Sequence, residues 1–449
     1  MKRNAMNQLL AWKSNPRRKP LLIYGARQVG KTYLIKKLAD DHYHQLVYIN
    51  FEEETRFHRY FDQSLQPKSL LTSLSLDLGQ AITPGDTLIF FDEIQACPRA
   101  LTALKYFCEQ APEYHVVAAG SLLGVQMAPT SFPVGKVDLL TVSPMTFGEF
   151  LQASEGVHLL PDRHFFAKTT PVDWSSLGER FADPLRNYLL TGGMPEVVDI
   201  WSKTRDIAQV IRTQEQILAA YQRDFTKHTD SKTMALRVSL TWQSIVSQLG
   251  RENKKFIYQT IKNGARAREF ELALNWLHDA GFIYKLPSVS RPAYPLTAFD
   301  DLSAFKIYLL DVGLLRQKAQ IATSDLLTSE QLFATYKGAL AENYIVQALT
   351  AAHLQPLRYH VFDRYEIDLL IQLEGIVIPV EIKSGTDKKH ASLTNYLERY
   401  HSPLAIRFSQ LPLHQSGKIL NIPLYLADFT REIVNAYLPV ERNVQWLAC

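Results

Sequence analysis

Residues Gly25-Ala26-Arg27-Gln28-Val29-Gly30-Lys31-Thr32 place a glycine, four variable positions, a second glycine, a lysine and a hydroxyl in one run. That spacing suits a phosphate. Glycines let consecutive backbone N–H groups turn inward around an anion, and a helix that starts where the loop ends adds the positive end of its dipole. The lysine reaches the β- and γ-phosphates, and the hydroxyl is a ligand for Mg²⁺. All eight residues are therefore assigned to ATP, with Lys31 in a catalytic role and Thr32 as a metal ligand. Arg27 is either a nucleotide contact or an exposed side chain. A second chemical signal is the apolar run Thr87-Leu88-Ile89-Phe90-Phe91, which ends in two carboxylates, Asp92 and Glu93. A third is spread over Glu342, Asp368, Glu381 and Lys383, charged residues on otherwise apolar segments.

The segments around these residues say how they must be held. Leu21-Leu22-Ile23-Tyr24 reads as a buried strand, and the pattern Leu34, Ile35, Leu38 continues the loop as a helix. Residues 46–51, 87–93, 115–121 and 137–142 are further strands. A parallel sheet of such strands carries helices on both faces, and acids at a strand's C-terminal end sit where open α/β sheets hold ligands. In the last part of the chain, Tyr336 to His353 reads as a helix. There Glu342 shares the apolar face of Ile345 and Val346. Residues 366–371 and 376–383 read as a hairpin turned at Leu373-Glu374-Gly375. Glu381 and Lys383, two apart, point to one face. A carboxylate facing a core needs a partner, so the three acids and the lysine are expected to converge.

The 449 residues suffice for about three domains at roughly 150 residues each. Apolar residues are 46% and charged residues 21%, which is ordinary for a globular protein with a sizeable core. A formal charge of +4, from 49 basic and 45 acidic residues, means that any nucleic-acid surface must be local. The cluster Lys2, Arg3, Lys13, Arg17, Arg18, Lys19 reads as a solvated lead-in to the first strand. Three cysteines, Cys97, Cys108 and Cys449, form neither a disulfide framework nor a metal pattern. The start of the chain lacks the apolar core of a secretory signal, and no stretch is apolar for long enough to span a bilayer. The expectation is a cytoplasmic protein with no membrane partner.

The run ending in Asp92-Glu93 resembles a Walker B segment of the additional-strand, catalytic-glutamate type. The resemblance implies that Asp92 holds Mg²⁺ through water and that Glu93 orients the attacking water, in a reaction that depends mostly on positioning and charge. Ser121, at the end of the strand at 115–121, resembles a sensor-1 residue that reports the γ-phosphate; a simple turn serine is the alternative. Several further runs look like one family: Asn50-Phe51-Glu52, Phe91-Asp92-Glu93-Ile94-Gln95, Gly120-Ser121, Ser143-Pro-Met-Thr-Phe-Gly-Glu-Phe150, Gly192-Gly-Met-Pro-Glu196, Phe305-Lys-Ile-Tyr-Leu-Leu-Asp-Val-Gly-Leu-Leu315 and Glu381-Ile-Lys383. They resemble the prokaryotic AAA-type P-loop ATPases that carry a C-terminal domain of unknown function. Tyr33 stands where many of those relatives have a second threonine.

Residues 236–286 resemble a winged helix, with three amphipathic helices and then a strand. The stretch 251–268 holds Arg251, Lys254, Lys255, Lys262, Arg266 and Arg268 against Glu252 alone. It is either a recognition helix on DNA phosphates or the solvated face of a packing module. The helix glutamate, the strand aspartate and the Glu-x-Lys resemble the PD-(D/E)XK nuclease core. The resemblance implies metal-assisted phosphodiester hydrolysis. Asp368 and Glu381 would be hard oxygen ligands for Mg²⁺, Glu342 would complete the site, and Lys383 would position water or stabilise charge. The alternatives are a buried ion-pair cluster and an inactive relic that grips nucleic acid.

The reading is an α/β chain in three parts: an AAA-type ATPase core with a parallel sheet at 1–200, a helical and winged-helix module at 201–325, and a restriction-nuclease-like α/β domain at 326–449. Its expected partners are ATP, Mg²⁺ and DNA, and a homo-oligomer is open. An arginine finger would come from this chain or a neighbour, with Arg99, Arg186 and Arg223 as candidates. An ATP-driven enzyme on DNA is the first reading and a nucleotide-dependent switch with an inactive nuclease-like domain the second. A small-molecule kinase is the least favoured.

Overall fold

The computed structural model describes residues 1–120, 132–156, 174–229, 231–251, 253–323, 334–385 and 391–438. The chain folds as two compact units. The first comprises Met1–Ser143, Arg223–Lys232 and Ala273–Phe282, and the second Pro144–Gln222, Thr233–Leu272 and Ile283–Cys449.

In the first unit, β1 (Leu21–Tyr24), β2 (Gln45–Asn50), β3 (Thr87–Asp92), β4 (His115–Ala119) and β5 (Asp138–Thr141) form a parallel sheet in the order β2-β3-β4-β1-β5. All five strands expected from the sequence form. β3 and β4 are buried along their whole length, as near-continuous apolar runs in a covered parallel sheet should be. β4 lies between β1, which leads into the glycine-rich loop, and β3, which ends in Asp92. Leu22, Ile49, Phe91 and Ala118 share one core with Leu101, Leu104 and Phe107 of the helix Pro98–Gln110.

In the second unit, β6 (Ile283–Val289), β7 (Asp300–Leu309), β8 (Arg358–Phe362), β9 (Tyr365–Leu373), β10 (Ile376–Ile382), β11 (Ala405–Ser409), β12 (His414–Ser416) and β13 (Ile419–Pro423) form a mixed sheet in the order β12-β13-β11-β10-β9-β8-β6-β7. β9 and β10 are the expected antiparallel hairpin, with Leu369 opposite Val380. The helix Ala334–Ala351 packs on β7 and β10.

The three-helix reading of residues 236–286 does not hold. Helices form at Lys232–Leu249 and Ala267–Asp279, but between them only a short 3₁₀ turn, Tyr258–Thr260, appears among the described residues. Tertiary bonds override the helical pattern. Gln248 accepts from Ile257 N–H at 3.0 Å and donates to Ile257 C=O at 2.8 Å. Phe256 N–H donates to Phe305 C=O on β7 at 2.8 Å. Among the described residues, the basic stretch from Arg251 to Arg266 is therefore a tethered loop with one 3₁₀ turn, Arg268 lies at the start of the helix Ala267–Asp279, and β6 joins the large sheet.

Three of the family-like runs meet around one carboxylate. Asp311 is fully buried and accepts from Gly193 N–H at 2.6 Å and Leu314 N–H at 2.9 Å. Gln347 adds a bond at 3.3 Å. Met145 N–H in turn donates to Gly193 C=O at 2.6 Å. Burial pushes the Asp311 carboxyl up to about 6, opposed by these donors. Gly192 is required here: its φ is +72°, and a Cβ would lie 2.1 Å from Asp311 Oδ1.

Gly192→Ala is expected to destabilise the protein by about 3 kcal/mol or more, through left-handed strain and disruption of the Asp311 bonds. Gly264→Ala, at φ +77° but facing open space, should cost about 1 kcal/mol. Urea unfolding of both variants checks the difference. The folded-state value of Asp311 lies above its unfolded one, so the folded state binds the extra proton between them. Its contribution to stability therefore falls as pH rises from about 4 to about 6. Comparing urea midpoints of wild type and Asp311→Asn across that window tests the sign.

Candidate functional site

The glycine-rich loop joins β1 to the helix Lys31–His42. Gly25, at φ +146°, lies so close to β5's end that a Cβ would sit 2.3 Å from Val142 C=O. Gln28 and Gly30 take left-handed φ of 66° and 89°. Lys31 Nζ donates to the carbonyls of Gly25 and Ala26, both at 2.8 Å. Burial pulls its ammonium down to about 8, against the upward pull of Glu93 and Asp92. The loop opens on a cavity of about 530 Å³ lined by Arg27, Lys31, Thr32, Asn50, Glu52 and Glu93 among others.

The two strongest sequence signals meet in this unit. Thr32 Oγ1 donates to Asp92 Oδ2 at 2.7 Å, and Tyr48 OH to the same oxygen at 3.2 Å. Burial raises the Asp92 carboxyl, and the Thr32 bond opposes the rise. Glu93 sits at a left-handed φ of 47°, and Gln95 Nε2 holds its carboxylate at 2.6 Å. Ser121 lies outside the described residues.

Two residues named from the sequence have contacts that it did not show. Arg3, read as part of a solvated lead-in, is buried. It donates to Val29 C=O in the loop at 2.9 Å and to Ser143 C=O at 2.6 Å. Arg27 is neither simply exposed nor isolated. It pairs with Asp224 at 2.5 Å and with Glu52 at 3.7 Å, and His228 Nε2 lies 3.2 Å away. No local pattern links residue 27 to residue 224. Of the finger candidates, Arg99 donates to Phe61 C=O at 2.8 Å, and Arg186 pairs with Asp183 at 2.7 Å.

In the second unit, the four charged residues do converge. The β9–β10 register continues to put Asp368 opposite Glu381, and Asp368 Oδ2 accepts from Ile382 N–H at 2.8 Å. Lys383 pairs with Glu381 at 2.7 Å. Glu381 Oε2 is buried without a hydrogen-bond partner among the described residues. Glu342 on the covering helix accepts from Tyr308 OH at 2.9 Å and pairs with Lys254 from the basic loop. Lys306, almost wholly buried on β7, pairs with Glu366 at 2.5 Å. Burial would raise the Glu342 carboxyl, but Lys306 and Lys254 hold it below the usual range. Burial, with repulsion from Glu342, pushes Asp368 up to about 7. Lys254, Lys306, Tyr308 and Glu366 were not assigned to this cluster, because nothing in the local pattern around them shows which distant side chains they meet. Among the described residues, no three His, Cys, Asp or Glu side chains are grouped closely enough to hold a metal ion together.

Residues 17–151 match the model of an AAA domain. That match, on a loop and acid pair so arranged, supports an AAA-type P-loop ATPase module. Residues 182–325 and 337–425 match two domains of unknown function, DUF8612 and DUF4143. No curated protein matches the chain. Similar solved structures include the *Aeropyrum pernix* ORC1 protein in complex with DNA, at 13% identity over 72% of this chain and 94% of that one, with a TM-score of 0.27. They also include *C. elegans* PCH-2, at 12% over 45% and 62%, TM-score 0.26. A signal transduction ATPase with a tetratricopeptide repeat sensor from *Pyrococcus horikoshii* follows at 12% over 78% and 45%, TM-score 0.27. No helix among the described residues is long and apolar enough to cross a membrane.

Lys306→Met removes a cation buried among carboxylates and is expected to cost about 3–5 kcal/mol. Lys306→Met combined with Glu366→Gln should recover part of that loss. Chemical denaturation of the single and double variants reads both.

Proposed function

We propose that the chain binds and hydrolyses ATP, and that its nucleotide state governs a nuclease-like C-terminal region that acts on DNA. The observation that carries the first half is the contact of Thr32, which lines the loop cavity, with Asp92. A hydroxyl and a buried carboxylate facing each other at 2.7 Å are hard oxygen donors fit for Mg²⁺. When bound, the ion supplies neutralisation of phosphate charge. The loop amides and Lys31 hold the phosphates, and Glu93, fixed by Gln95, orients the attacking water. In this reading residues 1–200 are the ATPase core, 201–325 a module of helices with β6 and β7, and 326–449 the nuclease-like part. ATP, Mg²⁺ and DNA are its partners.

The second half is supported by Asp368 and Glu381 lying opposite each other with Lys383 beside them. Glu381 Oε2, buried and without a hydrogen-bond partner among the described residues, suits a cation. Asp368 and Glu381 would hold that ion, which supplies Lewis-acid activation of a phosphodiester. Lys383 would position water. One observation favours a second reading, a nucleotide-dependent switch without cleavage. Lys254 and Lys306 already neutralise the carboxylates around Glu342.

Lys31→Ala is expected to abolish ATP hydrolysis. Glu93→Gln should keep ATP binding while turnover falls by roughly 10²-fold or more. On plasmid and single-stranded DNA with Mg²⁺ or Mn²⁺, the nuclease reading expects cutting that disappears in Asp368→Ala/Glu381→Ala while ATPase activity stays. ATP hydrolysis with no cutting would leave the switch as the function.

A further inference from the structure

We propose that Arg27 reads the terminal phosphate of a bound nucleoside triphosphate, and that Asp224, with Glu52, is an internal anion that holds Arg27 until that phosphate arrives. The inference rests on the nucleotide-binding reading of the loop and adds to it how triphosphate is told from diphosphate.

The placement is the first argument. Arg27 belongs to the loop, and its side chain lines the same cavity as Lys31, Thr32 and Glu93. A guanidinium there stands among the groups that would surround the phosphates. It is forked and planar, so it takes either a carboxylate or a phosphate in the same two-bond geometry.

The partners are the second argument. Asp224 and His228 belong to the segment Arg223–Lys232, which folds with the loop in the first unit. Asp224's side chain is only 9% exposed and meets Arg27 at 2.5 Å. The same segment sends Lys227 to Glu52, which is also 3.7 Å from Arg27. Asp224, Arg27, Glu52 and Lys227 thus form a chain of ion pairs with two positive and two negative charges. His228 completes the surround of Arg27, and burial together with Arg27 and Lys227 lowers its pKa. The carboxylates occupy the cation that an incoming phosphate needs.

The competition follows from charge. A terminal phosphate in reach of Arg27 carries more negative charge than one carboxylate, so it can draw the guanidinium away. A diphosphate lacks that group and leaves Arg27 on its carboxylates. Asp224 then subtracts from triphosphate affinity, because taking its partner away leaves a buried carboxylate less well paired. Arg27 is the residue that discriminates, and Asp224 positions it and sets the threshold.

The test measures affinities for adenosine 5′-(β,γ-imido)triphosphate and ADP by calorimetry with Mg²⁺, in wild type, R27Q, D224N and the R27Q/D224N double variant. R27Q should lower the preference for triphosphate over diphosphate on the order of tenfold. D224N should raise that preference by a similar factor, and the double variant should match R27Q alone. E52Q, which removes the more distant partner, should move the preference as D224N does but by less. It serves as the milder variant if D224N unfolds. An unchanged ratio in R27Q overturns the proposal, as do effects of R27Q and D224N that simply add in the double variant. If both nucleotides bind and Lys31→Ala abolishes binding, such results refute the Arg27 assignment alone. If wild type binds neither nucleotide, the nucleotide-site reading fails and this inference falls with it.

Discussion

A carboxylate taken out of water must find a cation, a proton or several amide hydrogens, and both units are organised by that requirement. Asp92 is buried at the end of β3 and is met by hydroxyls from Thr32 and Tyr48. Asp224 is met by Arg27. Asp311 is met mainly by backbone N–H groups, and the glycines beside it exist to let those groups close in. Glu342 is met by Tyr308 and Lys254. Each solution differs, and the difference decides what the site can do. A carboxylate wrapped in amides is a structural pin. One held by a mobile side chain can exchange its partner.

The loop and its neighbouring strands were legible because their signals are local. A buried strand, a glycine turn and a helix start follow one another along the chain, and an apolar run ending in two acids needs no distant residue to be recognised. The contacts that complete the site are of another kind. Arg3 reaches Val29 and Ser143, and Arg27 reaches Asp224. Nothing in the local pattern around Arg3 distinguishes it from Arg17 or Arg18. The same limit explains the misread helix in the basic stretch. Helical periodicity was present, but Gln248 binds both backbone groups of Ile257, and β7 takes the N–H of Phe256. Those bonds hold an extended tether where spacing alone suggests a turn of helix.

The carboxylate cluster of the second unit was legible as a face, not as a charge balance. Alternation on β9 and β10 puts Asp368, Glu381 and Lys383 on one side. The covering helix adds Glu342. What alternation could not show is that β7 contributes Lys306 and Tyr308 and the basic loop contributes Lys254. These groups change the meaning of the face. Acids alone call for a metal, whereas acids interleaved with buried lysines are already close to neutral.

The strand order of the first unit has a consequence for how the loop comes into being during synthesis. β1 carries the loop, yet its two neighbours, β4 and β5, are encoded later in the chain. On the ribosome the loop emerges early and waits, since neither flanking strand nor the Ser143 carbonyl that Arg3 grips has yet been made. The phosphate-binding geometry therefore belongs to the finished sheet. A nascent chain paused before β5 would display the whole glycine-rich motif without the edge that shapes it.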